Sequence, residues 1–408
     1  MVVKVSVSEP VIQSLDVSFL HMHPYKFDSI ICFGGEDWWY HNRGHIDMQL
    51  MRRFAQNGTV LYVNSIVMQK PNLSQGRTFL KKLIRKAKSI FTGLKMSDAG
   101  FWVYSPFALP VQHIAWLRPL NEIILRGQLW LVTRKLEMRD MTVWVACPAA
   151  CHVALKMKKS KLVYQRTDRF EDTPNVDARK IEEIDRRLKV EADLTIFVNK
   201  SLYDEEFYQC RRALYLDHGV DFELFASAHL DSSIPDDIKC IQKPIVGYFG
   251  GVADHKVDVE LIRKLVKLLP ELSFVFVGEV PRNYRELLTG KNVWFLGQKP
   301  YEQIPHYGKC FDIAIFPWRV SRWTKAANPI KLKEYLALGK PVVSTPFTEL
   351  QKYRDVVYQA KTPEDFAQVI EKALAEDNDK RIVARRKMVM NTTWDSKAQI
   401  VLNELSIT

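Results

Sequence analysis

Two short apolar runs in this chain close on a pair of glycines, SIICFGG at Ser29–Gly35 and IVGYFGG at Ile245–Gly251. An uninterrupted apolar run is the mark of a strand buried on both faces, and glycines placed directly after it let a ligand approach the backbone closely. Strand and helix patterns alternate after both runs. Strands are predicted at about 59–63, 142–145, 161–165 and 194–199 in the first half, and at 273–277, 293–296, 342–344 and 356–358 in the second. Helices are predicted at about 43–56, 77–95, 114–136, 177–192, 257–269, 363–375 and 380–390, and the last stretch is helical in pattern. Such alternation predicts parallel sheets, so the expected fold class is α/β with two Rossmann-like domains facing a cleft. A chain of 408 residues that is 47% hydrophobic has material for two cores. The expected division is 1–226 and 244–390, joined by the polar stretch 227–243 and followed by a helix in 391–408.

The segment KAANPIKLKEYLALGKPVVST at Lys325–Thr345 reads as one turn, one helix and one strand. Asn328 suits the helix cap, Pro329 the first turn and Gly339 the residue past the end. Lys325 and Lys331 then lie where the free amides of a helix start already carry partial positive charge, a conflict that a docked anion would remove. Glu334, on the face of Lys331, could accept hydrogen bonds from ribose hydroxyls. An amphipathic helix with Leu332, Leu336 and Leu338 inward and solvated lysines outward satisfies the same spacing.

A net charge of +12 calls for an anionic partner. No Asp or Glu occurs between Met48 and Ser97, and within that stretch Phe79, Leu80, Leu83, Ile84, Ala87 and Phe91 share one helical face while Lys81, Lys82, Arg85 and Lys86 fall on the rest. This pattern favours a helix lying on an anionic membrane over a core helix with a solvated basic face. No helix-turn-helix, zinc-finger or RNP motif accompanies the charge, so nucleic acid is not the expected partner. Arg118, Arg126 and Arg134 interrupt the apolar 114–136 too often for a membrane span, and core packing is expected there. The six cysteines are scattered and lack metal-site spacing, and no DxD pattern stands at a suitable strand end, so neither metal nor cofactor is expected. The N-terminus has no signal-peptide core and no run spans a membrane, so the expected location is cytoplasmic and peripheral on the inner face of the membrane.

The run NPIKLKEYLALGKPVVST resembles the donor-binding segment of GT-B glycosyltransferases, in particular those like family 4 and the bacterial exopolysaccharide and teichuronic-acid transferases. The resemblance implies transfer of a sugar from a nucleotide sugar, UDP- or GDP-linked, to a saccharide acceptor, and the basic helix suggests that this acceptor is lipid-linked. It implies that Asn328 and Lys331 face the diphosphate, Glu334 holds the ribose, Gly250 and Gly251 line the diphosphate side, and Arg319, Ser321, Arg322 and Lys325 belong to a donor-site loop. On the acceptor side it places Arg43 facing the cleft, beside Gly34 and Gly35, whose pair after a strand suits close approach of a ligand or a plain turn. Many family-4 members carry a second glutamate where this chain has Ala326, so retention of configuration is not implied. In xanthan-type glucuronosyltransferases an aspartate after a strand like 161–165 acts as general base, which implies that role for Asp168. On the residues alone, Asp168 equally suits a turn cap or a partner for Arg166 or Arg169. Two readings compete with transfer: a sugar-nucleotide epimerase of the same fold, and a non-enzymatic basic protein on a degenerate transferase scaffold that binds membrane or nucleic acid.

Overall fold

The computed structural model describes residues 27–40, 44–66, 76–108, 118–173, 176–253, 256–325 and 327–406. The N-terminal sheet contains β1 (Ser29–Phe33), β2 (Thr59–Val63), β3 (Leu94–Met96), β4 (Trp102–Tyr104), β5 (Met141–Val145), β6 (Lys161–Arg166), β7 (Leu194–Phe197) and β8 (Ala213–Tyr215). Their order is β3-β4-β2-β1-β5-β6-β7-β8, parallel except for the β3–β4 pair. The second sheet contains β9 (Ile245–Phe249), β10 (Ser273–Val277), β11 (Val293–Gly297), β12 (Ile313–Phe316), β13 (Val342–Ser344) and β14 (Tyr358–Gln359), in the order β11-β10-β9-β12-β13-β14 and parallel throughout. Both glycine-ended runs are central strands, and every residue of β1 and β9 is buried. Because all the strands around them run the same way, the loops that carry the candidate residues emerge along one end of each sheet.

Helix starts shift from the pattern-based positions for local reasons. The helix expected from Val257 begins at Val259, because Val257 forms a bridge to Trp318 and Asp258 caps the helix by accepting from the Leu261 amide at 3.0 Å. Asp177 likewise caps Ala178–Glu191. The helix expected from Arg43 is described from Ile46 to Phe54. The chain also contains the β3–β4 hairpin and the edge strand β8, which no sequence pattern announced; these strands are three residues each, too short for a period to show.

Core packing accounts for only one face of the helix Arg118–Lys135. Leu125, Leu129 and Val132 are buried against the N-terminal sheet, whereas on the opposite face Ile123 is 64% and Leu131 61% exposed, with Leu120 and Trp130 exposed beside them. Arg134 lies over the Trp130 ring. A helix apolar on both faces can bury either one, and the sheet selected the first. In the basic helix Gly76–Thr92, Phe91 is 90% exposed and Ile84 and Arg85 are exposed. Lys86 departs from its expected surface role, because its ammonium donates to the Ser65 carbonyl at 2.9 Å. The side chains of Phe79, Lys81 and Lys82 lie outside the described residues.

The two domains meet across buried polar contacts. Lys333, 1% exposed on the helix Ile330–Leu338, pairs with Asp217 at 2.8 Å, and Lys397 of the helix Trp394–Ser406 reaches the same carboxylate at 2.5 Å. The Trp394–Ser406 helix buries Trp394, Val401 and Leu402 in the core of the N-terminal domain. Burial alone would raise the Asp217 carboxyl, but Lys333 and Lys397 outweigh it and hold the group well below the usual carboxylate range. Its stabilising contribution is therefore complete above the unfolded pKa near 4 and is lost as pH falls through the lower folded value. Asp217→Asn leaves two lysines without their counter-charge and is expected to cost about 3–5 kcal/mol at pH 7. Urea denaturation at pH 7 checks this, and an effect below about 1 kcal/mol would show that the pairing is not holding the domains.

Candidate functional site

The donor side is built by β9 and the Ile330–Leu338 helix. Gly250 follows β9 at φ +124°, a backbone that side chains rarely adopt, and a Cβ there would overlap the Lys331 ammonium. The glycine turn and the helix start are thus in direct contact. Lys331 is held in place by the Tyr248 hydroxyl at 3.3 Å and by the face of the same ring, 5.0 Å from its centroid. The helix start has no side-chain cap, because the cap position falls on Pro329; Asn328, one residue earlier, departs from its expected role and donates through Nδ2 to the Val198 carbonyl of the other domain at 2.9 Å. Gly339 ends the helix in the left-handed conformation, φ +79°.

Glu334 lies one helical turn on and is 4% exposed. Burial pushes its carboxyl up to about 7, against the opposing pull of the Tyr301 hydroxyl and Lys331 and with the help of Asp221. Lys333, expected outward in the amphipathic alternative, is instead buried in the domain interface. The whole of Leu332–Leu338 is buried, so that alternative does not describe this helix.

Across the cleft, Gly34 and Gly35 follow β1. Gly34 packs on the Tyr62 ring, where a Cβ would not fit, and the Gly35 amide donates to Asp47 at 2.9 Å. Asp47 also accepts from the Tyr62 hydroxyl at 2.9 Å. Arg43 lies outside the described residues. Asp168 stands just past β6, and burial raises its carboxyl while Lys256 and Arg166 oppose the rise. Lys256 comes from the loop after Gly251 in the other domain, and its ammonium is lowered by burial, with Asp168 and Glu36 opposing and Lys331 adding to the effect. His45, half-buried, is lowered to about 4 by desolvation and by the same ammonium. His218, lowered to about 3 by burial and by Lys333, completes this wall, and its buried Nδ1 has no hydrogen-bond partner. Both imidazoles are neutral at pH 7.

The structure therefore brings Gly250, Lys331, Glu334 and Asp168 to one cleft, with Lys256 between the last and the first. The remaining donor-loop candidates are placed differently. Arg319 is exposed, Ser321 is engaged with Thr324 in a local turn, and Lys325 ends the short helix Arg322–Lys325. Arg322 points to Asp172 of the N-terminal domain, 4.0 Å away. Trp318 packs on Phe316 and Phe347 in the core. Lys256, His45 and Tyr301 were not legible in the sequence. A lysine shortly after a glycine pair is the only local signal for the first, and it is lost among 59 Lys and Arg residues.

Two Rossmann-like domains with their strand ends turned to a shared cleft, the second presenting a glycine turn and a helix start to it, define the GT-B architecture. Residues 243–376 match the family described as Glycosyl transferases group 1. TuaH of Bacillus subtilis (strain 168), provisionally assigned as a teichuronic acid biosynthesis glycosyltransferase, is 31% identical over 185 residues, which are 43% of this chain and 46% of that protein. The chain thus matches less than half the length of this relative. Among solved structures, Alr3699/HepE of Anabaena in complex with UDP and glucose superposes with a TM-score of 0.64 at 15% identity, covering 95% of this chain and all, 100%, of that one. Sucrose-phosphate synthase of Thermosynechococcus elongatus gives 0.67 at 14% identity, covering 93% and 98%. These similarities place the chain among proteins of the GT-B fold, with a group 1 glycosyl transferase domain resembling those of family-4-like bacterial enzymes.

Proposed function

We propose that this protein is a glycosyltransferase that moves a sugar from a nucleotide sugar to a saccharide acceptor. The observation that carries the reading is the contact of Lys331 with Gly250 above the buried Glu334, with Lys256 of the same domain beside them and Asp168 facing them across the cleft. The uncapped helix start and Lys331 would hold the diphosphate, and Glu334 would accept from the ribose hydroxyls. The acceptor hydroxyl gives its proton to the Asp168 carboxylate as its oxygen bonds to the anomeric carbon. The bond from that carbon to the diphosphate oxygen breaks, and the charge released on the nucleoside diphosphate meets the helix amides, Lys331 and Lys256 without a metal ion. Solved neighbours described with UDP and glucose support a nucleotide-sugar donor.

The acceptor is lipid-linked and met at the inner membrane face. In support, the exposed apolar residues Ile123, Trp130 and Leu131 and the basic helix with Phe91 offer a surface suited to anionic lipid, while among the described residues no helix is long and apolar enough to cross a membrane. Calorimetric titration with UDP, GDP and dTDP, paired with sedimentation on phosphatidylglycerol vesicles, tests both parts. One nucleotide is expected to bind at micromolar concentration, and vesicle binding is expected to be lost in the Ile123→Ser, Leu131→Ser double variant. Absence of nucleotide binding would remove the donor reading; absence of vesicle binding by the unaltered chain would remove the membrane one.

A further inference from the structure

Beside the loop that carries Asp168 lies a polar cavity of about 420 Å³, bounded by the loop after β6, the helix Ala178–Glu191 and, from the second domain, Arg322. Its inner wall contains Arg166 and Arg169, the residues that flank Asp168, and they are only 1% and 6% exposed. The nearby carboxylates are already engaged. Arg166 meets Glu171 at 2.9 Å, Asp185 at 3.2 Å and Glu206 at 3.3 Å, and Lys189 meets Asp185 and Glu206 at 2.7 and 2.9 Å. Arg169 pairs with Glu205. Even so, the buried Nη1 of Arg166 and Nε of Arg169 have no hydrogen-bond partner. A buried guanidinium N–H left unmade is costly, so donors of this kind point to a group that arrives with the ligand.

At the rim, Arg179, Arg186 and Arg322 stand among Glu182 and Glu183, with Asp172 4.0 Å from Arg322. The guanidinium fork matches the paired oxygens of a carboxylate or phosphate, which a point charge or a hydroxyl does not. Arg322 reaches the cavity from the second domain, toward Asp172, so the site is completed only when the two domains face each other. Arg166 and Arg169 line it from the loop that carries Asp168, so an acceptor whose anion binds here lies next to that loop.

We propose that this cavity is an acceptor subsite for an oxyanion, a carboxylate or phosphate carried by the acceptor saccharide, which it uses to bring the neighbouring hydroxyl to Asp168. The assignment rests on the transferase reading given above. It makes the acceptor an acidic saccharide, such as a uronic acid or a sugar phosphate, rather than a neutral one.

The test uses the full chain saturated with whichever of UDP or GDP it binds, so that the diphosphate site is filled. Methyl glucuronide, inorganic phosphate and neutral methyl glucoside are then titrated against the unaltered chain and against the Arg179→Gln, Arg186→Gln double variant, both of whose positions are solvent-exposed. At least one anionic probe is expected to bind about tenfold or more tightly than methyl glucoside, and to lose that advantage in the double variant while nucleotide affinity and melting temperature hold. Preference for the glucuronide or for phosphate tells which oxyanion the site takes. Anions that bind no better than methyl glucoside, or equally well to both proteins, would overturn the subsite and leave the donor reading standing. If neither nucleotide binds, the transferase reading falls and the acceptor assignment falls with it.

Discussion

Replacing Glu334 by glutamine is expected to make the empty protein more stable at pH 8 while weakening nucleotide binding by roughly 10- to 100-fold. The carboxyl is raised by burial to about 7 from an ordinary 4.5, so its neutral form is the one the folded chain prefers. Stability from this group is complete below the unfolded value and is lost as pH rises through the folded one. At pH 8 the ionised carboxylate therefore costs on the order of 3 kcal/mol, and glutamine avoids that cost. A rise of several degrees in melting temperature at pH 8, fading toward pH 5, is the expected thermal signature. The functional half follows from the same chemistry, since only the carboxylate accepts from two hydroxyls at once. Nucleotide affinity should accordingly fall as pH drops below about 7, with proton release on binding, and Glu334→Gln should flatten that dependence. A variant that gains stability yet binds nucleotide normally would show Glu334 to be a buried acid with no part in the donor site.

Asp168→Asn is expected to lower the transfer rate by roughly 10²- to 10⁴-fold with nucleotide affinity within about twofold of the unaltered protein. Asparagine keeps the shape and removes the proton acceptor. The acidic limb of the pH–rate profile should disappear with it. Lys256 draws the Asp168 carboxyl down against the effect of burial, so Lys256→Met should move that limb to higher pH. Single-turnover assays with the donor identified by calorimetry provide both measurements. A rate for Asp168→Asn within tenfold of normal would return Asp168 to the role of a turn cap or a partner for Arg166 or Arg169.

The elements that carry this site were largely legible before folding was considered. Ser29–Phe33 and Ile245–Phe249 are continuous apolar runs ended by glycine, and both are central strands. The helix Ile330–Leu338 stops at Gly339 as its local signals require. These features depend on residues within one or two turns of each other, so a linear reading reaches them. The capping of the same helix was misread for the converse reason. Asn328 has the chemistry of a cap, but Pro329 takes the cap position and Asn328 instead donates through Nδ2 to the Val198 carbonyl, distant in sequence and close in space.

What the sequence by itself determined is the alternation of strands and helices, the glycine turns that end two buried strands, and the position of Lys331 and Glu334 on one helical face. Tertiary structure decided that Lys331 rests on Gly250, that Lys333 is buried against Asp217, that Lys256 faces Asp168 from the opposite domain, and that the helix Arg118–Lys135 turns Ile123 and Leu131 outward. The reason is one of range. Propensity and periodicity act between neighbours along the chain, whereas burial, desolvation and charge pairing act between groups that meet only after two sheets have formed and their domains have closed on each other.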